Sequence, residues 1–233
     1  MSAVVQDYTA TASERRAMVD NQIRTFDVTD QRVLEAFERV PREIFVDESQ
    51  AGLAYSDAAL SVRGEGSTRR AMLVPMVLAR LLQGLDLLPT DRALVVAGGT
   101  GYAAALLSTL CHSVVSVESD PRLAEAARRN AYAIGASNVE AVQGALADGH
   151  AAGAPFHVIL VCGAFEQEPV KLLEQLAPGG RLVAIKQEPG LATRAVGKAV
   201  RYDRGAGDLS SRVLLDATAP VLDEFRQPHE FVF

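Results

Sequence analysis

The stretch that decides the fold is "ALVVAGGTGYAAALL", residues 93 to 107. Its apolar start, Ala93 to Ala97, reads as a strand buried on both faces. Gly98-Gly99-Thr100-Gly101 follows as a turn, and the alanine-rich run after it opens a helix. Working outward, strands are predicted at 113–118, 139–143, 156–161 and 180–186, and helices at 101–110, 121–133 and 167–176. Asp120-Pro121 supplies an N-cap and a first-turn proline for the second helix, and "APGG" at 177–180 stops the third. Apolar strands alternating with helices mean an α/β fold: a doubly wound, mostly parallel, Rossmann-like sheet with both faces covered.

Residues 1–69 read as an N-terminal helical extension with a substrate-side loop, and 70–233 as the α/β unit. Thr11 and Glu14 fit a capping box opening a helix to about Arg24. Thr29 is placed to cap a second helix, in which Val33, Phe37 and Val40 share a face and which Pro41 ends. A short helix is predicted at 49–53 and a longer one from Arg70 to Leu85, with Pro75 in its first turn. Past 186, "GKAVRYDR" and "SSRVLLDAT" can pair antiparallel across 205–207, and "HEFVF" at 229–233 can add a last strand.

Of the 233 residues, 48% are hydrophobic and 22% charged, the composition of an ordinary globular protein. The formal net charge of −6 argues against a nucleic-acid or anionic-membrane surface. No run of 18 apolar residues and no basic-then-apolar start is present, so neither a membrane span nor a signal peptide is expected. With two cysteines in no paired spacing, the cytoplasm is the expected location. The four histidines have no metal-ligand spacing, and no G-x-S-x-G elbow occurs. Cys162 follows the fourth strand and reads as a buried free thiol.

In a doubly wound sheet, ligands bind beyond the carboxyl ends of the strands at the switch point, where Gly98, Gly99, Thr100 and Gly101 lie. Glycines admit close backbone approach, and a helix start favours a negative group. Glu118 and Ser119 end the next strand, and a carboxylate there suits two ribose hydroxyls. Two cofactors compete. Gly99 to Ala104 satisfies the dinucleotide pattern G-x-G-x-x-A, which allows NAD. S-adenosylmethionine also has a ribose and a carboxylate, and spacing leaves both open.

"RVLEAFERVPREIFVDESQAGLAYSDAAL", residues 32–60, closely resembles the N-terminal region of protein-L-isoaspartate O-methyltransferases. The resemblance runs on, in order, through "GYAAALLSTL", "VVSVESDPRLAEAARRN", "NVEAVQG", "FHVILVCGA" and "LLEQLAPGGRLV", to about residue 186. It implies a class I methyltransferase sheet, S-adenosylmethionine as donor, and methylation of the carboxylate of isoaspartyl residues in a protein or peptide. By its pattern, Gly98 to Tyr102, Glu118, Ser119 and Ala145 fall at the cofactor. Thr68, Arg70 and Asp57 fall on the acceptor side.

The departures from that pattern are specific. Where the family reads V-L-E-I-G-T-G-S-G-Y, this chain puts Val95 at the acid and Ala97 at the first glycine. The family's later Gly-Asp falls on Gly144-Ala145, with Asp148 three residues on. Its T-I-S-Q-P loop falls on residues 68–72, where Thr68 matches and Arg70 replaces the serine. Losing one charged hydrogen bond costs about 1.5–3 kcal/mol. Two such losses weaken cofactor binding by about two to four decades. Arg69-Arg70 suits either a bidentate carboxylate clamp or a solvated basic turn. Three functions remain open: an isoaspartyl or other carboxyl methyltransferase, a non-catalytic relative binding a protein or metabolite in the old cleft, and a dinucleotide enzyme.

Overall fold

The computed structural model describes residues 11–66, 68–190 and 195–227, so the strand expected at 229–233 lies outside it. One seven-stranded sheet organises the chain. Five strands are parallel: β3 (Arg92–Val96), β4 (Ser113–Glu118), β5 (Val139–Gln143), β6 (Phe156–Phe165) and β7 (Leu176–Lys186). The edge is an antiparallel hairpin, β8 (Gly197–Arg204) and β9 (Leu209–Ala217), as expected. The spatial order is β5-β4-β3-β6-β7-β8-β9. The chain leaves β3 toward β5 and returns on its other side as β6, so the switch point lies beyond the end of β3.

Side-chain alternation builds two cores. Ala93, Val95, Val158, Leu160, Val183 and Ile185 face one way. Leu94, Val96, Ile159, Val161, Leu182 and Ala184 face the other. The first core is continuous with α2 (Gln31–Arg39), α3 (Pro75–Gly84) and α4 (Tyr102–Ser108). Arg42, wholly buried, ties the extension to the sheet's helices: it donates to the carbonyls of Ala54 (2.8 Å) and Leu73 (2.9 Å) and lies 4.8 Å from the Tyr102 ring centroid.

Several local expectations change. α1 (Ala12–Met18) has no side-chain cap, because the Thr11 hydroxyl donates to Glu43 at 2.6 Å instead. Asp30, not Thr29, caps α2 by accepting the Arg32 N–H at 2.9 Å. The helix expected from Arg70 starts at Pro75. A residue before proline is pushed out of the helical region, and proline itself suits the first helical position. Residues 69–72 instead form β2 (Arg69–Met72), paired antiparallel with β1 (Leu60–Arg63), with Val62 opposite Arg70. The third helix of the sheet shrinks to α6 (Val170–Glu174), and "APGG" is a bulge inside β7. α5 (Pro121–Ala133) begins at its expected cap: Asp120 accepts the Leu123 N–H at 3.0 Å.

Candidate active site

The turn after β3 needs unusual backbone. Ala97, Gly99 and Gly101 have φ of 59°, 59° and 100°. Gly101 also lies against α5, where an added Cβ would come within 3.2 Å of the Ala127 Cα. The Thr100 hydroxyl donates to the Phe45 carbonyl at 2.5 Å, and Asn130 donates to the Thr100 carbonyl at 2.9 Å. The turn is thus clamped between the N-terminal extension and α5.

Glu118 closes the other side. It ends β4, is 1% exposed, and accepts the backbone N–H of Gly99 at 3.1 Å and of Ser119 at 2.9 Å. Across from it stands Arg70, with 9% of its side chain exposed. Arg70 Nη2 lies 2.9 Å from Glu118 Oε1, and Nε lies 3.1 and 3.3 Å from the two carboxylate oxygens. Nη2 also donates to the Ser119 hydroxyl at 2.9 Å. A carboxylate has about four acceptor positions, and these donors fill them. Burial pushes the Glu118 carboxyl above the ordinary carboxylate range, against the lowering pull of Arg70 and of the Asp120 and Gly99 N–H groups.

The β1–β2 hairpin holds Arg70 in place. The second oxygen of Asp120 accepts the Glu65 N–H at 2.7 Å, so one carboxylate caps α5 and fastens the hairpin turn. A Cβ on Gly64 would sit 2.2 Å from that carboxylate. Burial raises the Asp120 pKa, but the Leu123 and Glu65 N–H groups and the Thr68 hydroxyl together hold it below the ordinary value.

Of the residues named from sequence, Arg70, Gly99, Glu118 and Ser119 come together. Thr68 joins them through Asp120. Gly98 and Gly101 shape the turn, closed by a bond from the Gly101 N–H to the Gly98 carbonyl at 3.0 Å. The Tyr102 ring is 1% exposed and belongs to the core, in contact with Phe37 and Phe45. Ala145 is exposed at the start of a short 3-10 turn. Asp148 is exposed and pairs with Lys171 at 2.6 Å. Asp57 is exposed on a bend. Val95, at the family's acid position, is fully buried in the core. Sequence reasoning saw Asp120 only as a helix cap and missed its second bond. The signal was the acid's position beside Glu118.

Between hairpin and turn lies a cavity of about 20 Å³, bordered by Val62, Met72, Leu78, Gly99 and Cys162. It borders neither Arg70 nor Glu118, so it is not the space that a ribose on Glu118 would take. With Arg70 on Glu118, the carboxylate suited to a ribose has its acceptor positions filled. The Cys162 thiol is no nucleophile, because burial pushes it up to about 12. Among the described residues no cluster of His, Cys, Asp and Glu could hold a metal, and no helix is long and apolar enough to cross a membrane.

Comparison with known proteins decides the kinship. A model of the family "Protein-L-isoaspartate(D-aspartate) O-methyltransferase" matches residues 13–203. The chain belongs to this family. A protein-L-isoaspartate O-methyltransferase of Roseiflexus sp. (strain RS-1) is 44% identical over 172 residues, 74% of this chain and 77% of the relative. That of Protochlamydia amoebophila is 40% identical over 186 residues, 80% and 86% of the two chains. A solved protein-L-isoaspartate O-methyltransferase superposes with a TM-score of 0.79 at 25% identity, covering 92% of this chain and 67% of its own. A putative one from Plasmodium falciparum, solved with S-adenosyl-L-homocysteine, shares the fold with a TM-score of 0.72 at 17% identity, covering 90% and 98%. Membership in this methyltransferase family removes the dinucleotide reading of Gly99 to Ala104.

Proposed function

We propose that this isoaspartate methyltransferase family member is a protein carboxyl methyltransferase. Its donor is S-adenosylmethionine, and its acceptor is the carboxylate of an isoaspartyl residue, or a related carboxylate, in a protein or peptide. The carrying observation is the family match over 13–203, which spans both the turn Gly99 to Tyr102 and the carboxylate Glu118. When bound, the donor supplies a methyl group on a sulfonium. This chain's share is positioning, which is most of the catalysis in such a displacement. Glu118 is the group suited to ribose hydroxyls once it is free. The hairpin residues Thr68 and Arg70 belong to the acceptor side. Two free, buried cysteines fit a reducing compartment, the cytoplasm.

A second reading has its own support: Arg70 covers Glu118, and Val95 and Ala145 replace family acids. On that reading the chain keeps the fold and binds a partner without methyl transfer. Radiolabelled transfer to an isoaspartyl peptide, with a normal aspartyl peptide as control, separates the two. Isoaspartyl-dependent label, even well below the roughly 1 per second of ordinary enzymes, supports the first. Label equal to the control supports the second.

A further inference from the structure

We propose that Arg70 is a latch on the donor site: its guanidinium occupies the bonding positions on Glu118 that a ribose needs, and the site opens only when this pair parts. The inference rests on reading Glu118 as the donor's ribose ligand and adds the regulation of that site.

Two observations carry it. The first is saturation. Two oxygens of Glu118 meet Arg70 Nε and Nη2 within 3.3 Å, with the Gly99 and Ser119 N–H groups taking the rest. The second is position. The Arg70 Cβ stands 3.6 Å from the point where a Cβ on Gly99 would be, so the side chain lies along the backbone a ligand would use.

The balance of strengths favours the closed state. A ribose hydroxyl brings no charge to the carboxylate, whereas the guanidinium adds the Coulombic attraction of a buried opposite charge and a two-point geometry. Displacing it would also leave Glu118, already pushed upward by burial, without its cation. The hairpin itself stays put, because Asp120 holds its turn through Glu65 at 2.7 Å. Opening is therefore a side-chain movement of Arg70 off Glu118. An arginine mounted on a pinned hairpin makes a switch local to the site, which anything offering the guanidinium another carboxylate will favour.

Calorimetric titration with S-adenosylhomocysteine tests the latch on the parent, Arg70→Ser and Arg70→Gln, each first checked for a cooperative thermal transition. Arg70→Ser is expected to bind about tenfold or more tightly than the parent, the equivalent of one charge-assisted bond. Arg70→Gln, which keeps one neutral donor, is expected between the two. If Arg70→Ser does not fold, Arg70→Gln against the parent decides in the same way. Equal, measurable affinity in parent and variant overturns the latch and leaves the donor assignment standing. No heat in any folded variant overturns both.

Discussion

Arg70 and Glu118, 48 residues apart, form a buried ion pair with Nη2 2.9 Å from Oε1. Glu118 ends β4 at the switch point of the sheet, and Arg70 descends on it from the β1–β2 hairpin. Breaking a buried pair by deleting one partner is costly, because the other charge is left without compensation. The pair therefore resists the loss of either partner at the place where the fold puts its ligand.

The strain at Ala97 gives a stability test. Its φ of 59° is left-handed backbone, which costs a non-glycine residue about 1 kcal/mol or more. Ala97 stands where the family has glycine. Ala97→Gly is expected to stabilise the protein by about 1 kcal/mol in denaturant unfolding. A midpoint equal to or below the parent's would show that Ala97 is not strained there.

Val95 and Ala145, which the resemblance sets against family acids, differ physically, and so should acids placed there. Val95 is fully buried in the core, so Val95→Glu buries a carboxyl without a partner and is expected to destabilise by about 3 kcal/mol or more. Ala145 is exposed, and Ala145→Asp is expected to stay within about 0.5 kcal/mol of the parent. Denaturant midpoints for the two variants check this. A well-tolerated Val95→Glu would mean that the core beneath the turn opens to solvent.

Much of this was legible in the chain. The strands beyond residue 90 are apolar runs between helices, and parallel strands buried on both faces announce themselves that way. The Asp120-Pro121 helix start and the β8–β9 hairpin could also be read directly. β2 could not: "RRAM" has two charges and no alternation, and Pro75 reads equally as a residue inside a helix or as its first. Because that hairpin was missed, the meeting of Arg70 with Glu118 was missed too. Opposite charges 48 residues apart carry no local signal. The site's glycines and Glu118 were visible from position in the unit, whereas Tyr102 belongs to the core because the N-terminal extension brings Phe37, Arg42 and Phe45 around it.

Asp120 predicts an acid limit. Its folded pKa lies below its ordinary value of 3.8, so its contribution is present above that value and is lost as pH falls through the folded pKa. Glu118 runs the other way. Its folded pKa is raised above 4.5, so its linked contribution is greatest below 4.5 and fades as pH rises through the folded value. The stability gap between the parent and Asp120→Asn is therefore expected to shrink as pH drops below about 4. Unfolding curves at stepped pH measure it, and a gap that is constant with pH would remove Asp120 as the hairpin's anionic fastening.

Both thiols are expected to be inert in the native protein. Cys111 and Cys162 are buried, and burial pushes each pKa up to about 12, leaving almost no thiolate at neutral pH. A disulfide exchange reagent should count no fast thiol in native buffer and both in denaturant. Prompt labelling of Cys162 in the folded protein would mean that the cavity beside Gly99 opens readily.

The most direct test follows methyl transfer to an isoaspartyl peptide while the S-adenosylmethionine concentration is varied, in parent and Arg70→Ser side by side. The expected result is isoaspartyl-specific label from both proteins, slow in the parent, with the KM for donor lowered about tenfold or more in Arg70→Ser. Label no higher than the aspartyl control from both folded proteins, at every donor concentration, would contradict a methyltransferase site kept behind Arg70.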